Sequence, residues 1–568
     1  MEGIIAAPKR VNHDGAKERR TGNYKPNIWD SDFVQSIHNK FSGETYKRRV
    51  EKQKDYVRQM LINNKEMVPL AQLHLIHDLQ RLGLKYHFEK EIKEALDALI
   101  SFININNGRI SGDDDLHSTA LCFRQLRQHG YFVSQDLFSS FMDDTGNFMT
   151  SLSQDFKGML GLYEASHLAI EGENMMENAK AFSSKILKDL KGNMDPYLNE
   201  EIAHALEVPS HCRVPWSEAR WYINAYERRE NINPTLLELA KLSFNMVQAT
   251  HQGELKEIYG WWKNEGLGEK LSFARQRLVE CFLWSVGTAF EPQYGCLRKW
   301  LTKIINLILL IDDIYDIYGS LDELEQFTDA VESWEDKKID HLPDYMKICF
   351  VELHGTTNEI SSGVQKDQNR NIMVHLKKVW TDFCKSLLVE AKWYNSGYSP
   401  SLQEYLDNAW ISSSGAILII HSYFALAQET SNDGVGFLET NRDLVYHPSM
   451  IIRLCNDLGT SAAELERGDA PSSILCYMRE AEVSEEIARE HIKDMIVDTW
   501  KKMNEKCISH SSHFPPVFLN FTYNVARVAH FIYQYGDGFG VQDRETRNNV
   551  LSLLVQPIQL HLDETDSI

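Results

Sequence analysis

Apolar side chains recur at three- and four-residue intervals through most of the chain. The stretches from Leu75 to Ile100 and from Glu485 to Asn504 are examples, and both predict helices that bury one face. Runs that alternate apolar with polar positions are rare, and Gly and Pro fall mainly between the helical blocks. The predicted class is all-α. The longest apolar run, Trp300 to Ile311, carries Lys303 and Asn306 and falls short of the ~20 residues that cross a bilayer, so it reads as a buried helix and no membrane span is expected. No fixed-period repeat appears, which disfavours a solenoid. No low-complexity linker divides the sequence either. The best boundary lies between Asn231 and Thr235, where Pro234 fits the first turn of a helix. The expected organisation is a short N-terminal segment (1–30), a helical domain over 31–232 and a second helical domain over 233–568, packed directly on each other.

Size and charge narrow the function. A chain of 568 residues exceeds one hydrophobic core, and 43% apolar with 11% aromatic residues supplies material for two. A formal net charge of −21 argues against a nucleic-acid partner, because a phosphate backbone rewards a basic surface. An acidic protein that handles a polyanion has to bring positive charge to the site, and metal ions are a natural supply. The nine cysteines are scattered, with no CxxC pair, as expected of reduced thiols. The first eighteen residues lack an apolar h-region and contain acids, unlike a signal peptide or a transit peptide.

Two groups of oxygen-bearing side chains then stand out. Asp312, Asp313 and Asp316 close an otherwise apolar helix, and at ~3.6 residues per turn Asp312 and Asp316 share a face. Carboxylates so placed repel and lose hydration unless a cation binds. Mg²⁺ suits them, since it takes a few carboxylate oxygens and completes its shell with water and phosphate. The competing explanation is an exposed acidic helix end. Asn456, Thr460 and Glu464 form the second column at i, i+4 and i+8, with Arg453 on the same side as a fixed cation for phosphate oxygens. A solvated helix face would not explain two such columns, each following an apolar helix.

These columns resemble the two metal motifs of plant class I terpene synthases, the aspartate-rich DDxxD and the NSE/DTE motif. The likeness extends over nearly the whole chain. Arg19 and Arg20, followed by eight residues and Trp29, are similar to the RRx8W motif of plant monoterpene synthases. The stretches Leu126 to Ser134, Leu162 to Glu173 and Glu218 to Ile223 are also similar, and Arg275 and Arg277 resemble the family's RxR element, with Gln276 where an acid is usual. In Ile411 to Leu418, Ala416 stands where relatives often carry Pro, which predicts a softer helix break.

The resemblance implies an N-terminal class II-like α-barrel, vestigial and structural here because no DxDD acid is present, and a C-terminal class I α-bundle that carries the chemistry. Asp113 to Asp115 read as a loop and a helix N-terminus. Three Mg²⁺ ions, or Mn²⁺, would be held by Asp312, Asp316, Asn456, Thr460 and Glu464. Arg275, Arg277 and Arg453 would stabilise departing pyrophosphate, and Trp284 would face the allylic cation. Ile305, seven residues before Asp312, would line the apolar wall, with Ile308 and Leu309 either there or in the core. Tyr533 and Phe539 are further wall candidates, with core packing as their rival role, and Asp537 would help close the site. Arg19, Arg20 and Trp29 would cap it. The implied substrate is geranyl diphosphate, with dimethylallyl or farnesyl diphosphate as alternatives; a chain-elongating prenyltransferase and a non-catalytic helical scaffold are the rival functions. The family also implies a plastid location, with the cytosol as alternative, and a monomer or homodimer.

Overall fold

Helices form where the apolar spacing is three and four, and they stop where the sequence supplies a cap. The computed structural model describes residues 19–63, 69–105, 115–190, 195–426, 440, 442–467 and 472–560. Among these residues no strand forms; an isolated bridge joins Met142 to Phe148. The Leu75 to Ile100 stretch is two helices rather than one, Pro69–Arg81 and Glu89–Ile105. The break falls at Gly83, whose φ of +71° is left-handed, which a residue without Cβ adopts cheaply. Asp115 accepts a hydrogen bond from Ser118 N at 2.7 Å and caps Leu116–Gln128. Asp113 and Asp114 lie outside the described residues.

Pro234 does open a helix, Pro234–Glu265, with Asn233 accepting from the backbone N–H groups of Thr235 and Leu236. The two helical halves meet over a large aromatic contact. The Trp216 ring stacks on Phe244 at 4.0 Å between centroids and on Phe290 at 5.2 Å. Its indole N–H donates to Leu553 O at 3.2 Å. Asn504 ties the later helices back to the first half by donating to the carbonyls of His167 and Ala169. All nine cysteines are free and eight of them are buried.

Two long helices lead to the oxygen-bearing columns. Gly295–Asp313 is buried on nearly every side, as the run from Trp300 predicts. It ends in a π-helical turn, Ile314–Tyr318, closed by Gly319 N donating to Ile314 O at 2.8 Å. The turn is wider than the α-helix expected there, and such turns recur at functional sites. Asp443–Arg467 carries the second oxygen column. Between them in sequence, Leu402–Ser412 and Gly415–Leu426 are separate helices. The softer break expected from Ala416 is not what forms: Ser414 takes φ +67°, and a Cβ on Gly415 would lie 2.8 Å from Ser449 Cα, so the chain breaks fully without a proline. Taken as one segment, Leu402–Leu426 is long and apolar enough to cross a membrane, but it is bent at this break and mostly buried within the protein.

Gly83 yields a test of the corrected helix pair. Besides its left-handed φ, a Cβ there would lie 2.8 Å from Ala219 Cβ. Gly83→Ala should therefore destabilise the fold by about 1–3 kcal/mol, read as a lower denaturant midpoint at unchanged m-value.

Candidate active site

The aspartate helix and the Asp443–Arg467 helix face one cavity of about 120 Å³. Its lining includes Asp312 and Asp316 from the first, and Arg453, Asn456 and Thr460 from the second. Arg275, Trp284, Ile305, Tyr533 and Phe539 complete the set of sequence candidates that reach it. Ile308, Leu309 and Asp537 line it as well, so the wall below the aspartates is apolar over two helical turns. Trp284 and Ile305 are nearly fully buried. Along the aspartate helix the lining thus runs from carboxylates to aliphatic side chains, with Ile308 and Leu309 one turn and Ile305 two turns before Asp312.

Arg275 organises the polar end. Its Nη2 pairs with Asp312 Oδ2, and its Nε lies 3.0 Å from Asp313 Oδ1. Its backbone N–H also donates to Asp313 Oδ2 at 2.7 Å. Asp313 is wholly buried, and burial pushes its carboxyl above the ordinary range although Arg275 opposes the shift. Asp312 keeps about a third of its side chain exposed and faces the cavity. Opposite, Arg453 donates to Asn456 Oδ1 at 3.2 Å, to Ser412 Oγ at 3.0 Å and to Ala409 O at 3.3 Å. Behind it Asp457 is fixed by the Tyr405 hydroxyl at 3.0 Å and by Ser473 N at 2.8 Å.

The N-terminal strap lies across this end. Arg19 donates to Tyr318 O at 2.9 Å and to both carboxylate oxygens of Glu323, at 2.9 and 3.0 Å. Glu323 also accepts from Ser320 N at 2.9 Å, so one side chain closes the capping box of Leu321–Ser333 and holds the strap. Arg20 donates to Asp316 O at 2.8 Å. The Trp29 indole N–H reaches the buried Glu280 carboxylate at 2.7 Å. These three residues do not line the cavity. They hold Tyr24, which does, and whose hydroxyl donates to Asp313 Oδ1 at 2.7 Å.

One sequence candidate is placed differently from expectation, and another falls outside the described side chains. Arg277 does not face the cavity. It is buried, and its guanidinium donates to the carbonyls of Phe539, Gly540 and Lys25, so it joins the 537–540 loop to the strap. It turns away because it begins the Leu278–Thr288 helix, with φ −130° and ψ 36°. Glu464 stands in the Asp443–Arg467 helix, but its side chain lies outside the described residues. Sequence reasoning missed Tyr24, Glu390 and Ser412 to Ser414, all in the lining. Glu390 carried a usable signal, an acid inside the apolar run Leu387 to Ala391. It is buried and accepts from Ser412 Oγ at 2.5 Å and from Asn408 Nδ2 at 3.0 Å. Tyr24 carried none.

Carboxylate, amide and hydroxyl oxygens form the donor set, and oxygen donors of this hardness suit Mg²⁺. Among the described residues no three His, Cys, Asp or Glu side chains converge closely enough to hold an ion alone. A cation here would need further oxygen ligands, and Asn456 and Thr460 place an amide and a hydroxyl on the same lining. The comparisons with known proteins agree with this chemistry. Residues 263–502 match the family model described as the terpene synthase family, metal binding domain, and residues 28–206 match the terpene synthase, N-terminal domain. An alpha-farnesene synthase of Ricinus communis is 50% identical over 96% of each chain. The chain belongs to the terpene synthase family. A chloroplastic myrcene synthase of Quercus ilex is also 50% identical, over 96% of this chain and 91% of that one. Among solved structures, the isoprene synthase of grey poplar in complex with three Mg²⁺ ions and dimethylallyl-S-thiolodiphosphate is 44% identical, with a TM-score of 0.85 over 94% of this chain and 99% of that one. The synthase is thus a lyase with the two-domain α fold of this family.

The strap contact gives a pH prediction. Arg19 and Ser320 hold the Glu323 carboxyl down to about 2, against an ordinary value of 4.5. A depressed acid contributes its stability fully above its unfolded pKa and loses it as pH falls through the folded one. Docking of the strap should therefore be constant above about pH 4.5 and weaken only below it. Glu323→Gln should release the strap at neutral pH, read as faster proteolytic clipping near Arg19 with unchanged far-UV circular dichroism.

Proposed function

We propose that this synthase converts geranyl diphosphate to a monoterpene, using three Mg²⁺ ions. The observation that carries it is the polarity of one cavity: oxygen donors and two guanidinium groups at the mouth, and Trp284, Ile305, Ile308 and Leu309 at the floor. The ions, when bound, supply charge that stabilises departing pyrophosphate. Arg275 and Arg453 are fixed beside them and bind diphosphate oxygens without reorganising. Asp312, paired with Arg275 at the cavity edge, would hold a metal ion, while Asp313 keeps Arg275 anchored. Trp284 and the aliphatic floor face the allylic cation, where an indole face is attractive and no side chain holds a water. Tyr24 and the strap exclude bulk water from above. Asp537, which accepts from Phe539 N and Gly540 N, shapes the loop that closes the far side.

A ten-carbon substrate is supported by the tandem arginines of the strap and by the myrcene synthase. The farnesene synthase favours a second reading, a fifteen-carbon chain from farnesyl diphosphate. Incubation with each diphosphate and Mg²⁺, followed by gas chromatography, separates them: geranyl diphosphate should give the higher kcat/KM, and a higher value for farnesyl diphosphate would replace the first reading with the second. The chloroplastic name of the myrcene synthase supports a plastid location, testable by fluorescent fusion of the protein in plant cells.

Two variants test the chemistry. Asp312→Ala should lower turnover at least about a thousandfold with the fold intact, and Glu464→Ala should do likewise; near-normal turnover in either would remove the metal assignment. Ile305→Asn places a partner for water at the apolar floor and should raise the oxygenated share of products. An unchanged profile from a fully active variant would show that Ile305 does not meet the cation.

A further inference from the structure

The N-terminal half contains a second cavity, of about 740 Å³, well within the roughly 300–1,000 Å³ of small-molecule sites. Its wall comes from four helices, Pro69–Arg81, Leu116–Gln128, Phe156–Ser166 and Pro196–Glu207, together with Asp195, Ser210 and the segment Arg228 to Asn231. The carboxylates of the inner wall already carry cations. Glu201 pairs with Arg81 at 2.7 Å, Glu164 with Arg213 at 3.2 Å and Asp78 with Arg229 at 3.3 Å. Asp195 caps its own helix by accepting from Tyr197 N and Leu198 N.

Arg124 is the exception. It lines the cavity with only 8% of its surface exposed. Among the described residues its hydrogen bond goes to Nδ1 of His77 at 3.1 Å, and no carboxylate pairs with it. A guanidinium stays charged when buried, so it requires an anion or ordered water. Beside it stands His117, stacked on His74 at 5.4 Å, with both ring nitrogens buried and unpartnered among the described residues. Burial holds this imidazole down to about 4, so at neutral pH it is uncharged with one N–H to donate. Lys157 is exposed on the lining and makes no ion pair among the described residues. Leu160 and Leu198 add apolar surface.

We infer that this cavity is a second, metal-independent binding site for a diphosphate group, anchored by Arg124 and completed by His117 and Lys157. The preference for an anion follows from these residues; the choice of diphosphate rests on the proposed function, since substrate and product of that reaction both carry the group. The diphosphate is either free pyrophosphate or the head of a prenyl diphosphate whose chain lies on Leu160 and Leu198. Asp78, Glu164 and Glu201 are committed to ion pairs and Asp195 to its helix cap, Glu230 stands exposed on the lining, and the site is assigned binding alone.

Calorimetric titration of the whole protein in EDTA at neutral pH tests this, with pyrophosphate, geranyl diphosphate and sulfate as probes. Saturable binding of a diphosphate should weaken at least tenfold in Arg124→Met and severalfold in Lys157→Gln. Mg²⁺-dependent turnover at low substrate should stay within twofold of the parent in both variants. Tighter binding of geranyl diphosphate than of pyrophosphate assigns the prenyl ester, and equal binding assigns free pyrophosphate. Three results would overturn the inference: no binding to the parent protein, which leaves a hydrated cavity; undiminished binding in both variants, which places the ligand on Arg275 and Arg453; or sulfate binding as tightly as pyrophosphate. Binding in EDTA is read separately from turnover, so a protein that binds here yet fails to consume geranyl diphosphate would refute the proposed function alone.

Discussion

Arg275 and Asp313 form the contact on which the candidate site depends. An apolar helix that ends in carboxylates brings negative charge into a region where water is scarce, and Asp313 is taken there completely. One buried carboxylate without a partner would cost several kcal/mol. Arg275 answers with its guanidinium and its backbone N–H, and Tyr24 adds a hydroxyl. Three segments far apart in sequence are thereby joined at one oxygen pair. Asp312 pairs with the same guanidinium but stays partly exposed at the cavity edge.

The same economy separates Arg275 from Arg277. Only two residues apart, they look interchangeable as cations for phosphate. Arg277 instead spends its donors on four backbone carbonyls, those of Phe539, Gly540, Lys25 and Gln276, fixing the 537–540 loop against the strap. Backbone carbonyls with no helical partner need donors when buried, and a guanidinium serves several at once. Arg277 therefore sets the shape of the closure around Phe539, whereas Arg275 acts on charge at the mouth.

The strap shows how a peripheral segment becomes part of a cavity. Arg19 uses a carboxylate that already caps a helix, and Arg20 uses a carbonyl of the π-helical turn. Both contacts thus depend on the local backbone around the aspartates. The wider turn moves Asp316 from where an α-helix would put it and exposes the carbonyls that the strap reads. Cavity carboxylates, strap dock and helix cap are built from one stretch, Asp312 to Glu323.

Local chemistry determined what the sequence could state alone. Helical period placed Asp312 with Asp316 and Asn456 with Thr460, and put Ile305 below the aspartates, because side chains one turn apart share a face whatever surrounds them. Proline and asparagine marked the helix at Pro234 for the same local reason. Tertiary structure decided which of two neighbouring arginines meets the cavity, which aromatic of the strap enters it, and that a serine and a glycine break a helix without proline. It also decided that Arg124 lies buried in the N-terminal half with no carboxylate in ion-pair contact among the described residues. Each of these depends on a partner brought close only by folding, as Tyr24 and Asp313 are across 289 positions of chain. A repeat of three and four residues specifies the face a side chain takes on its own helix, but what stands opposite that face is set by the packing of the other helices.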